Sequence, residues 1–157
     1  MSVRLLLVVL GVLAACSDAS PCGPPEDTVA RVIDGDTVVL ASGVKLRYLL
    51  IDAPETTDGH HDCFGSNATT ANAQLVLGKR VALGYDVGCT DKYGRTLAYV
   101  AADGLDVNAY LISRGYACLL HIPPDGDDRA AEFARLEAQA KAAGLGLWSA
   151  CSPVPCD

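Results

Sequence analysis

Short apolar runs separated by polar, glycine-containing breaks recur along the chain, and such runs predict β-strands. The first three runs are divided at Asp34-Gly35 and at Ser42-Gly43, which are typical hairpin breaks. Two further runs follow in the second half of the chain. We therefore expect five strands, within residues 28–34, 36–43, 44–52, 80–85 and 95–102.

Three other segments carry the signals of helices. Ser66 can cap a helix that runs to Gly78, and Asp106 can cap a short helix that stops at Gly115. A last helix begins after residues 127–128 and ends at a glycine. The apolar positions of the first and last helices are Ala71, Leu75, Leu77, Phe133, Leu136, Ala140 and Ala143. Five strands with interleaved helices indicate an α+β fold, in which a small closed sheet hides the strand edges.

The chain has 157 residues, which is enough for one domain with its own core. Residues 1–16 are set apart, because a single Arg precedes an apolar run from Leu5 to Ala15 that is too short to span a bilayer. The run ends at Cys16 in a pattern similar to the lipobox of bacterial lipoproteins, which predicts a lipid-modified Cys16 and an exported chain. An ordinary signal peptide cut nearby is the alternative. A Pro-rich linker at 17–27 leads into a domain at 28–148.

Cysteine counting agrees with export. Without Cys16, six cysteines remain, at positions 22, 63, 89, 118, 151 and 156. An even number in an exported chain predicts three disulfides, with 15 pairings left open. Cysteines near both ends suit a link between the tail, 149–157, and the body. A zinc site is less favoured, because no pair has CxxC spacing.

Several polar residues have no evident role in forming the predicted strands and helices. Asp34 and Asp36 flank a glycine, so they either form a simple turn or share one face of an extended chain. Arg47 lies in an apolar strand, where it either faces solvent or has an acidic partner. Asp52 is five residues further on, and an unbent strand would place it on the opposite face from Arg47. A bulge, or an Asp52 beyond the strand end, would bring the two together.

Asp52 and Glu55 stand three positions apart around Pro54, where an apolar strand runs out. The simple interpretation is a polar turn, and the functional one is a metal ligand beside a general base. A further cluster, 91–95, enters the fifth strand. Carboxylate and carbonyl oxygens select hard cations such as Ca²⁺, arginines bind phosphate in a bidentate fork, and a spare carboxylate can activate water. Together these groups suit the hydrolysis of a phosphodiester.

Four stretches, "VIDGDTVVL", "LRYLLIDAPET", "DKYGRTLAYV" and "LEAQAKAAGLGLW", resemble in order and spacing the motifs of the staphylococcal (thermonuclease-type) nuclease family. The resemblance covers about residues 28–148. It implies an OB-fold five-stranded β-barrel with three helices. It also implies Ca²⁺-dependent cleavage of DNA and RNA to products with 3′-phosphates, by a monomer.

The resemblance assigns roles to individual residues. Asp36 and Asp52 match carboxylate ligands of Ca²⁺, Ala53 matches a carbonyl ligand, and Asp34 matches an acid behind the metal. Glu55 matches the residue that activates or positions the attacking water. The arginines that match phosphate-binding, transition-state residues are Arg47 and Arg95, and the residues that match contacts to nucleotide are Lys92, Tyr93 and His121.

The chain also departs from the family. Where the archetype has tyrosines near the base, this chain has His121 and Pro123, and its six cysteines are additional. A bridge between Cys63 and Cys89 would flank the site. The net charge of −7 predicts weak, salt-sensitive binding to single-stranded or denatured nucleic acid. Two other functions stay open: a catalytically idle OB-fold module that binds nucleic acid or protein, and a structural lipoprotein stabilised by Ca²⁺.

Overall fold

The computed structural model describes residues 20–57 and 59–156. Its strands are β1 Glu26–Val32, β2 Thr37–Leu40, β3 Lys45–Tyr48, β4 Ile51–Asp52, β5 Arg80–Gly84, β6 Thr96–Ala102, β7 Leu105–Asp106 and β8 Cys118–Leu119. Its helices are α1 Gly65–Val76, α2 Val107–Ser113, α3 Ala130–Ala142 and α4 Leu147–Ala150. The five predicted strands and three predicted helices are all present. The third predicted strand, 44–52, is broken into β3 and the two-residue β4, and two further two-residue strands, β7 and β8, and the short α4 are added.

The five longer strands form a closed barrel. They lie in the order β3-β2-β1-β5-β6, and β6 returns to pair in parallel with β3. All other neighbouring pairs are antiparallel. Closure gives every strand a partner on both sides, which removes the free edges that promote aggregation. The expected OB-type, five-stranded barrel of an α+β protein is therefore confirmed.

The barrel and helices share one apolar core. Its largest completely buried side chains are Tyr48, Phe133, Leu46, Ile51, Leu111 and Ile112. Leu147 lies in a second, smaller cluster with Cys118 and Cys151. Asp106 caps α2 as expected, because its carboxylate accepts the N–H of Ala109 at 2.9 Å. The cap predicted at Ser66 is wrong. Helix α1 begins two residues earlier than that cap implies, at Gly65, after Phe64, whose ring stacks on Tyr116 at 5.7 Å. Packing of Phe64, and not a side-chain cap, marks the start of this helix.

Not every predicted apolar position is buried. Leu77 follows the end of α1 and its side chain is half exposed, and Ala143, after α3, is exposed. Both positions lie just past a helix end, where the helical period no longer applies.

Three disulfides tie both ends of the described chain to its body. They join Cys22 to Cys89, Cys63 to Cys151, and Cys118 to Cys156. The predicted number is confirmed, and so is the link between tail and body. The expected bridge between Cys63 and Cys89 is wrong, because the barrel places the tail beside Cys63 and the N-terminal segment beside Cys89.

The predicted signal peptide and the predicted lipidation of Cys16 lie outside the described residues. β1 begins at Glu26, two residues before the predicted start of the domain, and Cys22 of the predicted linker is bonded to the barrel. Among the described residues, no helix has the length and apolar character needed to cross a membrane.

Candidate active site

A break after β3 brings Arg47 and Asp52 together. Leu50 has a φ of +62°, in the left-handed region that ordinary residues rarely adopt, so the strand stops and restarts as β4. The carbonyls on either side of the break accept hydrogen bonds, Leu49 from the Asn108 side chain and Leu50 from the N–H of Leu120. Because the strand is broken at Leu50, Nη2 of Arg47 reaches Oδ1 of Asp52 at 2.6 Å. The sequence allowed either a bulge or an Asp52 beyond the strand end. The structure has the second arrangement, because Asp52 lies past the end of β3.

Arg47 is buried, and its guanidinium is largely used within the chain. Nη1 donates to the carbonyls of Tyr48 at 2.7 Å and Ile51 at 2.6 Å. Nε pairs with Oδ1 of Asp36 at 3.0 Å, and Nη2 with Asp52. A guanidinium carries five N–H groups, so one N–H of Nη2 is left over. The first task of Arg47 is thus to hold two carboxylates side by side.

Asp36 lies in the β1–β2 turn with both carboxylate oxygens engaged. Oδ1 accepts from the Thr37 hydroxyl and faces Arg47, and Oδ2 accepts the N–H of Ala53 at 2.6 Å. Burial, opposed by the charge of Arg47, raises the pKa of Asp36 to about 7, and the neighbouring Asp34 and Asp52 act in the same direction as burial. This bond holds the N–H side of Ala53, the residue whose carbonyl, on the following peptide, was the expected metal ligand.

Asp34 shapes the same turn. Its Oδ1 accepts the N–H of Asp36 at 3.0 Å, and its carbonyl accepts from the buried Asn72 side chain of α1 at 2.9 Å. The two acids do not occupy an extended strand face, because residues 34–36 form a bend. Gly35 is needed at the bend, since a Cβ there would lie 2.5 Å from Cβ of Ala53. The close approach of this turn to Ala53 brings Asp36 beside Asp52.

The donor set fits a hard divalent cation. Asp36 and Asp52 both contact the single guanidinium of Arg47, and Asp34 lies in the same turn as Asp36, so acidic groups outnumber the cation at this place. Carboxylate and carbonyl oxygens are the ligands that Ca²⁺ takes. Within residues 20–57 and 59–156, no three acidic, His or Cys side chains converge on one point. The expected set does not require three, because its third member is the backbone carbonyl of Ala53.

Glu55 borders a cleft of about 300 Å³ at the end of β4. The residues that line it are Asp52, Ala53, Pro54, Glu55, Asp62 and Pro155. Oε1 of Glu55 accepts three hydrogen bonds, from the N–H groups of Thr56 and Thr57 at 2.8 Å and from the Thr57 hydroxyl at 2.6 Å. Burial acts to raise the pKa of Glu55, but these bonds outweigh it and hold the pKa below its usual range. Glu55 is therefore a carboxylate at neutral pH with one oxygen fixed.

Arg95 stands at the entrance to β6, held by Asp91. Oδ2 of Asp91 accepts from Nε of Arg95 at 2.6 Å, and Oδ1 accepts the N–H groups of Tyr93 and Arg95 at 2.9 Å. Burial acts to raise the pKa of Asp91, but these bonds lower it below its usual range. In the described part of the chain, the Nη groups of Arg95 donate no hydrogen bond, so they remain available to a phosphate.

The expected nucleotide contacts lie on the same turn as Arg95. The ring of Tyr93 is largely exposed, with Nζ of Lys92 5.0 Å and Cζ of Arg95 5.4 Å from its centroid. An exposed aromatic face between two cations suits a nucleotide, which has both a base to stack and a phosphate to pair. In the parallel pairing of β3 with β6, Leu97 lies beside Arg47. Arg95, at the end of the turn, comes two residues before Leu97 in the chain.

His121 follows β8 closely, in a loop fastened to the β5–β6 connection. The carboxylates of Asp86 and Asp125 accept the N–H groups of Gly126 and Gly88, at 2.7 and 2.6 Å. The His121 ring contacts Asp127 at 2.8 Å. Since Cys118 of β8 is the cross-strand partner of Asp52, His121 lies three residues beyond that partner.

The structure thus joins Asp34, Asp36, Arg47, Asp52 and Ala53 by direct contacts and sets Glu55 on the adjoining cleft. Arg95, Lys92, Tyr93 and His121 lie on neighbouring loops without such contacts. A separate cleft of about 320 Å³ lies beside α1. None of the residues predicted for the site lines it.

Sequence reasoning missed three residues around the site: Thr57, Asp62 and Pro155. It placed Asp91 in the cluster that enters the fifth strand but gave it no role of its own. Asp91 had a readable signal, since an Asp before "KYG" is typical of a turn in which its side chain accepts backbone N–H groups. Pro155 had none, because only the tail's disulfides bring it to Glu55.

A family model described as "Staphylococcal nuclease homologue" matches residues 45–150, about two thirds of the chain. This chain belongs to the staphylococcal nuclease family. The match begins at β3, so it includes the strand of Arg47, the Asp52–Glu55 turn and the Arg95 turn, but not the β1–β2 turn of Asp36.

Several named proteins are similar to this chain over most of its length. "Endonuclease YncB" of Bacillus subtilis (strain 168) is 38% identical over an alignment of 129 residues, and the alignment covers 78% of this chain and 61% of that protein. "SPbeta prophage-derived endonuclease YokF" of the same strain is 36% identical over 78% of this chain and 43% of its own length. "Thermonuclease" of Staphylococcus intermedius is 36% identical over 126 residues, 76% and 74% of the two chains. The matched region thus spans less than two thirds of the two Bacillus proteins.

Proposed function

We propose that this protein is a Ca²⁺-dependent nuclease that hydrolyses DNA or RNA to products with 3′-phosphates. The observation that carries the proposal is the pairing of Asp36 and Asp52 by Arg47, next to the cleft that Glu55 borders. The family assignment supports it, as do two relatives named endonucleases and one named thermonuclease.

Asp36, Asp52 and the carbonyl of Ala53 would hold the cation. When bound, Ca²⁺ supplies positive charge for a phosphoryl oxygen of the substrate. Arg95 offers its free Nη groups to the phosphate, and Arg47 offers the single N–H that its internal bonds leave over. Such donors stabilise the charge that develops around phosphorus during cleavage.

Glu55 would accept a proton from the attacking water. Its Oε1 is fixed by Thr56 and Thr57, so the other oxygen is the one that can face a water in the cleft. A general base must be ionised at the working pH, and the lowered pKa of Glu55 meets that condition.

The substrate we propose is a flexible single strand. The net charge of −7 repels a polyanion as a whole, so positive charge is useful only where it is local, at Lys92, Arg95 and the cation. An exposed Tyr93 can stack on an unpaired base. Binding is expected to be weak and to decrease steeply with added salt.

The decisive experiment compares the full chain, purified under oxidising conditions, with Glu55→Gln on denatured DNA at low salt. We expect degradation with Ca²⁺, none with EGTA, and a rate at least 10²-fold lower for Glu55→Gln, within the range typical of a lost general base. Glu26→Gln, at an exposed barrel position, is the matched control. A folded wild type that binds Ca²⁺ yet degrades nothing would favour the idle binding module or the structural lipoprotein instead.

We also propose that the protein is exported and anchored through a lipid on Cys16, and that it acts as a monomer. The lipobox-like sequence supports the anchor, and three disulfides support an oxidising compartment. Wild type is expected in the membrane fraction of the cells that make it, and Cys16→Ser in the soluble fraction. Equal fractionation of both would remove the anchor. Sedimentation of the released chain tests the monomer.

A further inference from the structure

The chain that follows Glu55 turns back and binds the backbone of Glu55 through Asp62. Oδ2 of Asp62 accepts the N–H of Glu55 at 3.0 Å. The N–H of Asp62 in turn donates to the carbonyl of Glu55 at 3.0 Å. In the described residues, the backbone of Glu55 makes no other hydrogen bond. We call this pair of bonds the 55–62 clamp.

The 55–62 clamp is attached to fixed parts of the fold. The carbonyl of Asp62 accepts the N–H of Gly65, the first residue of α1, at 3.0 Å. Cys63 is bonded to Cys151, which follows α4. Gly65 itself packs close to the Glu55 turn, since a Cβ at this position would meet the carbonyl oxygens of Pro54 and Glu55 at 3.0 Å. Asp62 therefore links the position of Glu55 to that of α1.

Precise placement of Glu55 matters because it follows a proline turn and not a strand or helix. Local bonds from Thr56 and Thr57 orient its carboxylate, but those residues belong to the same irregular segment. The Thr56 hydroxyl lies 3.4 Å from that of Thr69 in α1, a contact that does not involve the backbone of Glu55. Catalytic groups need to be held within about 0.5 Å of their productive geometry, and displacement by 1 Å can cost about 10²-fold in rate. Among the hydrogen bonds of residues 20–57 and 59–156, those of the 55–62 clamp are the ones that connect the Glu55 backbone to the anchored end of the segment.

We propose that Asp62 is a positioning residue for Glu55, anchored by the Cys63–Cys151 disulfide. The inference rests on the proposed nuclease function. Asp62 acts through its acceptor oxygen, which fixes the Glu55 N–H, and not through its negative charge.

A direct role for Asp62 makes a different prediction. Asp62 also lines the cleft, so its carboxylate would be placed to meet a cation or a water itself. Replacement by Asn separates the two roles. The amide oxygen of Asn can still accept the N–H of Glu55, whereas the charge is lost. Replacement by Ala removes both the acceptor and the charge.

The test measures kcat and KM of the full chain on denatured DNA at saturating Ca²⁺. For Asp62→Ala we expect kcat to decrease about 10- to 100-fold with KM changed less than about threefold, because substrate contacts are untouched. Asp62→Asn is expected to retain kcat within about threefold of wild type. His61→Ala, at the exposed neighbouring position, is the matched control and should match wild type.

A second arm measures hydrogen exchange at the Glu55 amide, which requires no activity. Exchange should accelerate in Asp62→Ala and remain slow in Asp62→Asn. The disulfide is tested with Cys63→Ser/Cys151→Ser, which should lower kcat in the same direction. Adding Asp62→Ala to that variant should then lower kcat by a smaller factor than it does in wild type, because both changes release the same segment.

Each remaining result has a distinct meaning. If Asp62→Asn is as impaired as Asp62→Ala, the charge acts directly and the positioning role is wrong. If Asp62→Ala keeps wild-type kcat while only its melting temperature falls, Asp62 is merely structural. If the wild type itself degrades nothing, the proposed function fails and takes the role of Asp62 with it. An active wild type with an unaffected Asp62→Ala overturns the role of Asp62 alone.

Discussion

Asn108 is the buried side chain that holds the break after β3, and its replacement should be costly. Its Oδ1 accepts the N–H of Val100 at 2.9 Å, and its Nδ2 donates to the carbonyl of Leu49 at 2.9 Å. The residue is completely buried. In Asn108→Leu both backbone groups would lose this partner inside the core. Leu has the same number and branching of side-chain heavy atoms as Asn, so the substitution should leave no cavity.

The expected loss of stability follows from two backbone groups, the Leu49 carbonyl and the Val100 N–H. Each buried backbone group left without a partner costs about 1–3 kcal/mol. We therefore expect the free energy of unfolding of Asn108→Leu to be about 2–6 kcal/mol lower than that of wild type. Asn67→Leu, on the exposed side of α1, is the matched control and should change it by less than about 0.5 kcal/mol.

Urea unfolding with the disulfides intact, followed by circular dichroism, is the assay. The dependence of the free energy on urea should be unchanged, so that a lower midpoint reports stability alone. A loss below about 1 kcal/mol for Asn108→Leu would refute the reasoning, because it would mean that the Leu49 carbonyl and Val100 N–H find other partners. The assay is independent of any catalytic activity.

Three further predictions concern the site. Arg95→Ala should lower turnover by on the order of 10³, as for other transition-state arginines; exposed Arg135→Ala is the control, and unchanged turnover would remove Arg95 from the mechanism. Asp36→Ala should raise the Ca²⁺ concentration needed to increase the melting temperature, and an unaltered titration would remove Asp36 from the ligand set. Without divalent cations, the folded state binds a proton on Asp36 up to about pH 7, whereas the unfolded chain releases it near its ordinary pKa. The free energy of unfolding should therefore decrease as the pH rises from about 5 to 7, by up to about 1.4 kcal/mol per pH unit. Asp36→Asn should lack this decrease. If the free energies of wild type and Asp36→Asn change in parallel with pH, the prediction is wrong.

Local patterns in the sequence were sufficient for much of the fold. Apolar runs and Gly-containing breaks located the strands, and the Asp106 cap located α2, because these signals depend on residues a few positions apart. The same patterns gave wrong boundaries where packing intervened. Phe64 stacks on Tyr116, 52 residues away, and α1 begins there instead of at a polar cap at Ser66.

Candidate chemistry was also readable, because the residue types needed for a charged reaction are unusual in apolar strands. Arg47, Asp52 and Glu55 stood out for this reason. Their mutual arrangement was not readable: an unbent strand would have separated Arg47 from Asp52. Only the left-handed Leu50, supported by partners that are distant in sequence, puts them on one side.

The amino-acid sequence by itself determined the strands, most helix positions, the number of disulfides and the set of charged groups available to a site. The tertiary structure alone decided which cysteines pair, how β6 closes the barrel on β3, that Arg47 faces two carboxylates, and that Asp62 holds Glu55. The division has one physical cause. Hydrophobic period, turn chemistry and capping act over a few residues, whereas pairing between distant segments depends on how the whole barrel buries its core.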